Sequence, residues 1–220
     1  EDGRVRTQPF QRQLFQYRGE VSNLSVPRDA GFAGFRVIGR FENSAHPLEI
    51  ASFLGASYFR AIGEGQYYGT SARGLAIDIG LPKTEEFPVF REFWIERPAA
   101  GATQLRIWAL LDSPSVVGAY QFGLHPGKAT VWEVDARLYC RRQVEKVGWA
   151  PLTSMWMWGD GLAAPSGDAR PEVHDADGLL VQATDGEWIW RPLSRQGYPS
   201  LSHYELPGIR GFGLLQRDRR

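Results

Sequence analysis

The stretch Gly118-Ala119-Tyr120-Gln121-Phe122-Gly123-Leu124-His125-Pro126-Gly127-Lys128-Ala129-Thr130-Val131-Trp132-Glu133-Val134-Asp135-Ala136-Arg137-Leu138-Tyr139-Cys140 decides the fold. Gly118–Leu124 is a strand-like run, and from Trp132 to Leu138 charges fall at every second or third position, as half-buried strands do. In between, His125-Pro126-Gly127-Lys128 is turn chemistry, with Pro presetting φ and Gly tolerating positive φ. Two such runs around a short turn predict an antiparallel hairpin. Working outward, similar runs recur at Gly34–Gly39, Ser57–Ile62, Leu75–Ile79, Phe90–Glu96, Gln104–Leu111, Leu179–Gln182, Glu187–Leu193 and Gly211–Gln216. No stretch sustains a helical period; short helices are expected at His46–Gly55 and Gln143–Val147. Leu162–Pro171 reads as a long exposed loop. The expectation is an all-β protein, a sandwich or barrel, forming one domain or part of a larger one.

Composition narrows the function. Lys+Arg and Asp+Glu are 25 each, so the net charge is zero. That speaks against nucleic acid as a partner, because such proteins usually carry a basic excess. No apolar run approaches the length of a membrane span. The one cysteine, Cys140, excludes an intrachain disulfide and is expected to be a buried strand residue. His46, His125, His174 and His203 show no ligand spacing, so no metal and no cofactor are expected. Ser71, Ser113 and Ser154 lack a nucleophile elbow.

An aromatic-rich β protein with polar strand faces suggests a carbohydrate ligand. Sugar rings present apolar C–H faces that stack on Trp and Tyr, and their hydroxyls bond to charged side chains. Eight Trp are available, about half of which are expected in the core.

Several separated blocks carry a more specific signal. They are Gly31-Phe32-Ala33-Gly34-Phe35, Ala51-Ser52-Phe53-Leu54-Gly55-Ala56-Ser57-Tyr58-Phe59-Arg60, Ser71-Ala72-Arg73-Gly74-Leu75-Ala76-Ile77-Asp78, and Glu86-Phe87-Pro88 with Arg91-Glu92-Phe93-Trp94-Ile95-Glu96. Ala109-Leu110-Leu111-Asp112-Ser113-Pro114, Ala150-Pro151-Leu152-Thr153-Ser154-Met155 and Arg170-Pro171-Glu172-Val173-His174-Asp175 follow. Gly186-Glu187-Trp188-Ile189-Trp190-Arg191-Pro192-Leu193 and Gly211-Phe212-Gly213-Leu214-Leu215-Gln216-Arg217 complete the set. In this order they resemble the periplasmic glucan biosynthesis proteins of the OpgG/MdoG and OpgD type, from about Phe15 to the last residue.

The resemblance implies a galactose-mutarotase-like β-sandwich and a periplasmic location. It implies a role in making osmoregulated periplasmic glucans, with β-1,2-glucan as ligand and a membrane glucan synthase as protein partner. Residues 1–220 then form a single, partial glucan-binding sandwich, and the family's C-terminal immunoglobulin-like domain is absent. The OpgD type resembles an inverting endo-β-1,2-glucanase, while OpgG types vary in that activity. The alternative is a non-catalytic protein that holds glucan during branching or release.

Inverting hydrolysis uses one carboxyl as acid and another as base. The resemblance places the general base on Asp175, in His174-Asp175-Ala176-Asp177-Gly178-Leu179, and the general acid beyond Arg220. From the residues alone, Asp-Ala-Asp-Gly is equally good turn chemistry. Asp218 is not taken as the acid; it is expected to pair with Arg217 or Arg219, or to contact the cleft. His174 either orients Asp175, binds sugar, or is a buried hydrogen-bonded histidine. Trp188 and Trp190 share a strand face, as a stacking platform or as core, and Arg191 on the other face is a candidate glucan contact. Tyr58 and Arg60 share a face and are further candidates. So is Tyr67, beside Tyr68 in the glycine-rich turn Gly63–Gly69. Arg91, Glu92, Glu96, Glu133 and Asp135 are expected to form cross-strand charge pairs.

Overall fold

The computed structural model describes residues 3–159, 161–194 and 201–216. Arg217, Asp218 and Arg219, with their expected pairing, lie outside them. Two short 3-10 turns, Arg12–Leu14 and Gly19–Val21, precede a succession of antiparallel strands. A five-stranded sheet takes β1 (Gly34–Gly39), β2 (Leu48–Leu54), β3 (Tyr58–Ala61) and β4 (Ser71–Arg73) in order. The chain then leaves it through β5 (Leu75–Ile77) for a four-stranded meander of β6 (Val89–Ile95), β7 (Leu105–Asp112), β8 (Val116–His125) and β9 (Val131–Cys140). It returns through β10 (Val147–Trp149), which pairs with β5, and β11 (Leu152–Thr153), which closes the five-stranded sheet against β4. A small pair, β12 (Trp156–Trp158) and β13 (Val173–His174), follows. Last comes a three-stranded sheet in which β14 (Gly178–Ala183) lies between β15 (Trp188–Pro192) and β16 (Ile209–Leu215). These open sheets form an all-β sandwich, as the sequence predicts.

The expected hairpin is β8–β9, in register from Val116 opposite Cys140 to His125 opposite Val131. Along β8, Val116, Gly118, Tyr120, Phe122 and Leu124 are buried, while Ala119 and Gln121 are exposed. The core lies between the meander and the five-stranded sheet. Phe53 is its hub, with ring centroids 5.0 Å from Phe35, 5.1 Å from Phe93, 5.0 Å from Phe122 and 5.5 Å from Trp132. Aromatic pairs at these separations add to the burial itself.

Gly74 sits where the chain leaves β4 for β5. A Cβ there would lie 2.8 Å from the Phe90 ring, and the Gly74 carbonyl accepts the Tyr120 hydroxyl at 2.8 Å. Only a residue without a side chain lets the crossing pass so close to the core.

Four expectations are corrected. His46–Gly55 contains β2, not a helix: Ile50, Ala51, Ser52 and Phe53 are all buried, so a strand covered on both faces loses its alternation. Gln143–Val147 forms no helix; it leads into β10. Cys140 is exposed, because it ends β9 beyond the core that its facemates Trp132 and Leu138 reach. Of the eight Trp, only Trp158 is fully buried, although Trp132 packs against the core; Trp94, Trp108, Trp149 and Trp188 are exposed.

Candidate functional site

Alternation along β2 and β3 sends Phe53 and Phe59 into the core and Ser52, Tyr58 and Arg60 to the opposite face. There a cavity of about 170 Å³ opens, lined by Ser52, Tyr58, Arg60, Ser71 and Thr153 together with Leu54 and Phe59. The Arg60 Nε donates to Ser52 Oγ at 3.2 Å, and its guanidinium lies 5.0 Å from the centre of the Tyr68 ring. Burial, followed by the nearby Glu49 carboxylate, pushes the Tyr68 hydroxyl up to about 12. Glu49 itself lies 3.0 Å from Arg36. Next to Tyr58 in the register, Arg73 is 5% exposed. Its Nη1 is 2.8 Å from Glu85 Oε1, and its guanidinium lies between the Phe87 and Tyr58 rings, 4.6 and 5.5 Å from their centres.

Thr153 donates its hydroxyl to the Ser71 carbonyl at 3.1 Å, and two residues later Met155 is hydrogen-bonded to Asp175. The Asp175 amide donates to the Met155 carbonyl at 2.9 Å, and the Met155 amide donates to Asp175 Oδ2 at 2.9 Å. Among the described residues, Oδ1 has no hydrogen bond. The Asp175 carbonyl accepts Gln216 Nε2 at 2.9 Å, which brings the end of β16 to the same point. Gly69 stands beside them: a Cβ on it would lie 3.7 Å from the Asp175 carbonyl oxygen. The glycine-rich turn therefore bridges the two halves, with Tyr68 against Arg60 and Gly69 against Asp175. Tyr67, which precedes Tyr68 and makes neither contact, is 95% exposed.

The other expected residues fall elsewhere. His174, opposite Trp156 in the β12–β13 pair, is buried between carboxylates, with Nε2 3.4 Å from Glu172 Oε2 and Nδ1 3.8 Å from Asp177 Oδ1. Arg191 is committed to Tyr204: Nε donates to the hydroxyl at 2.8 Å and the guanidinium lies 4.8 Å from the ring centre. Trp190 packs over Gly178, where a Cβ would lie 2.7 Å from the indole; this accounts for the glycine after Asp177. Trp188, on the same face, is exposed. Of the expected charge pairs, Glu96 is 3.8 Å from Arg106, Arg91 3.8 Å from Asp112 and Glu133 3.0 Å from His125.

Sequence reasoning does not single out Ser52, Ser71, Thr153 and Gln216. They converge from strands far apart in the chain, and the only local signal is a polar residue on an otherwise apolar strand. Among the described residues, no group of three or more His, Cys, Asp or Glu is placed to hold a metal ion. No helix of the described residues is long and apolar enough to cross a membrane.

Comparison with known proteins agrees with the blocks. The family model described as "Periplasmic glucan biosynthesis protein, MdoG" matches residues 1–220. The chain is 50% identical over 210 residues to "Glucans biosynthesis protein G" of Pseudomonas paraeruginosa, which covers 96% of this chain and 40% of the relative. It is 52% identical over 192 residues to the protein of that name from Serratia proteamaculans, covering 87% of this chain and 37% of the relative. The chain thus spans about two fifths of the length of the curated relatives it matches.

Proposed function

Because this chain belongs to the family of periplasmic glucan biosynthesis proteins, MdoG, we propose that it binds β-1,2-glucan in the periplasm and that Asp175 is the general base of inverting hydrolysis in the complete protein. On this reading the chain is part of a larger glucan-binding sandwich that works with a membrane glucan synthase. The glucan runs along the glycine-rich turn, with Tyr67 as a stacking ring and Tyr58 and Arg60 as contacts further on. Trp188 and Trp190 extend the surface on the three-stranded sheet.

The observation that carries the reading is the state of the Asp175 carboxylate. Oδ2 is fixed by the Met155 amide at 2.9 Å, and among the described residues Oδ1 has no hydrogen bond. A general base needs one lone pair held within reach of a water while the group stays oriented. On this reading the acid is supplied from outside residues 1–220, and cleavage is proposed for the complete protein.

The same hydrogen bond favours a second reading. Asp175 fastened at both amide and carboxylate to Met155 is also what a turn residue in a glucan-holding protein would show. The two part on one experiment, in which the full protein is incubated with linear β-1,2-glucan while new reducing ends and chain length are followed. Cleavage that vanishes in Asp175→Asn while binding persists establishes the base. Binding without cleavage in both forms overturns hydrolysis and leaves a glucan-holding protein.

A further inference from the structure

The cavity on the outer face of the five-stranded sheet has an uneven charge balance. Among the described residues that line it, Arg60 is the one ion and there is no carboxylate. The other arginines on that face are neutralised, Arg36 by Glu49 at 3.0 Å and Arg73 by Glu85 at 2.8 Å. Arg60 is not. Ser52 takes its Nε, the Tyr68 ring supports its plane, and among the described residues its terminal nitrogens have no hydrogen bond or ion pair. A guanidinium does not shed its proton, so the charge stays. Ser52 accepts from Arg60, and its hydroxyl stands close to that of Tyr68. Among the described residues the hydroxyls of Ser71 and Tyr58 have no hydrogen bond, whereas Thr153 is spent on the Ser71 carbonyl.

We propose that this cavity binds a small oxyanion, a carboxylate or a phosphate-type group, held by the fork of Arg60 and the hydroxyls of Ser71 and Tyr58. Paired N–H donors of a fixed guanidinium match such a group in geometry and charge. The volume of about 170 Å³ holds five or six waters at roughly 30 Å³ each. It suits one charged group with residual water, and the carrier of that group lies outside. This goes beyond the glucan reading, since an unsubstituted glucose ring has no charge for Arg60 to neutralise.

The test titrates the full protein at low salt with inorganic phosphate and, separately, acetate, following the Arg60 Nε–Hε signal by NMR and the heat by calorimetry. Saturable binding is expected for at least one anion. Arg60→Gln should weaken it at least tenfold, about 1.4 kcal/mol, whereas Arg91→Gln on the meander should leave it unchanged. Ser71→Ala removes a donor without touching Arg60 and should weaken binding several-fold, which covers the case that Arg60→Gln does not fold. Tighter binding of phosphate supports the site with a phosphate ester as carrier, and tighter binding of acetate supports it with a carboxylate. No saturable binding of either anion, or equal binding in Arg60→Gln, overturns it. No glucan enters the measurement, so its failure leaves the Asp175 reading standing.

Discussion

Asp175 and Met155 hold each other twice. The Asp175 amide donates to the Met155 carbonyl, and the Asp175 carboxylate takes back the Met155 amide, both at 2.9 Å. One residue thus serves as the clamp of a small strand pair and as the candidate base, and the two roles separate by substitution. Asparagine keeps an acceptor oxygen for the Met155 amide, so Asp175→Asn is expected to change stability by under about 1 kcal/mol. Asp175→Ala leaves the amide unpaired and should cost about 1–2 kcal/mol. Thermal melts of both variants check this. Equal losses would mean that the hydrogen bond does not hold the site.

Tyr120 gives the protein an alkaline limit. Burial pushes its hydroxyl up to about 12, against about 10 in the unfolded chain. The unfolded state therefore ionises first. The stabilisation is complete below pH 10 and is lost as pH rises towards 12, amounting to roughly 2–3 kcal/mol. Tyr68, also raised to about 12 but less buried, adds a smaller share. Tyr120→Phe should lose about 1 kcal/mol at neutral pH, from the bond to the Gly74 carbonyl, and should flatten the alkaline fall. An unchanged slope between pH 10 and 12 in the variant would refute the assignment.

Arg73 has exchanged water for Glu85 and two aromatic rings, so its ion pair is unlike those at the surface. Glu85→Gln leaves a buried cation without its counter-ion and should cost about 3 kcal/mol in urea unfolding. Glu96→Gln breaks an exposed contact at 3.8 Å to Arg106 and should cost under about 1 kcal/mol. Similar costs for the two would contradict the burial argument.

Phe53 touches both sheets of the sandwich and is 1% exposed. Phe53→Ala should cost about 3–5 kcal/mol, and Phe53→Leu substantially less, as measured by the denaturation midpoint. A loss under about 1 kcal/mol for the alanine variant would show that the core collapses around the gap.

The hairpin of β8 and β9 is legible because its turn and its alternation agree. β2 is not, because Ile50 to Phe53 face packed neighbours on both sides and the period that marks a strand disappears. Cys140 fails for a different reason: alternation gives its face correctly, but not that the core stops short of the strand's end. In the site, Asp175 stands out only through the block around it, since Asp-Ala-Asp-Gly alone spells a turn. The cavity is invisible in one dimension. Ser52, Arg60 and Ser71 come together across β2, β3 and β4, and Thr153 joins them only because β11 returns to β4 after the whole meander has been laid down.

That return has a kinetic consequence. Thr153 and Ser71 are 82 residues apart, and an open loop of that length costs about 4 kcal/mol of closure entropy. The strands of the meander pair only with their sequence neighbours, through contacts that close early. The meander is therefore expected to fold first and the β4–β11 seam late, so that amides of β7 and β8 gain protection in pulsed hydrogen exchange before those of Ser71 and Thr153. The cavity would then be completed among the last events, and a chain able to fill it would already have passed its folding barrier.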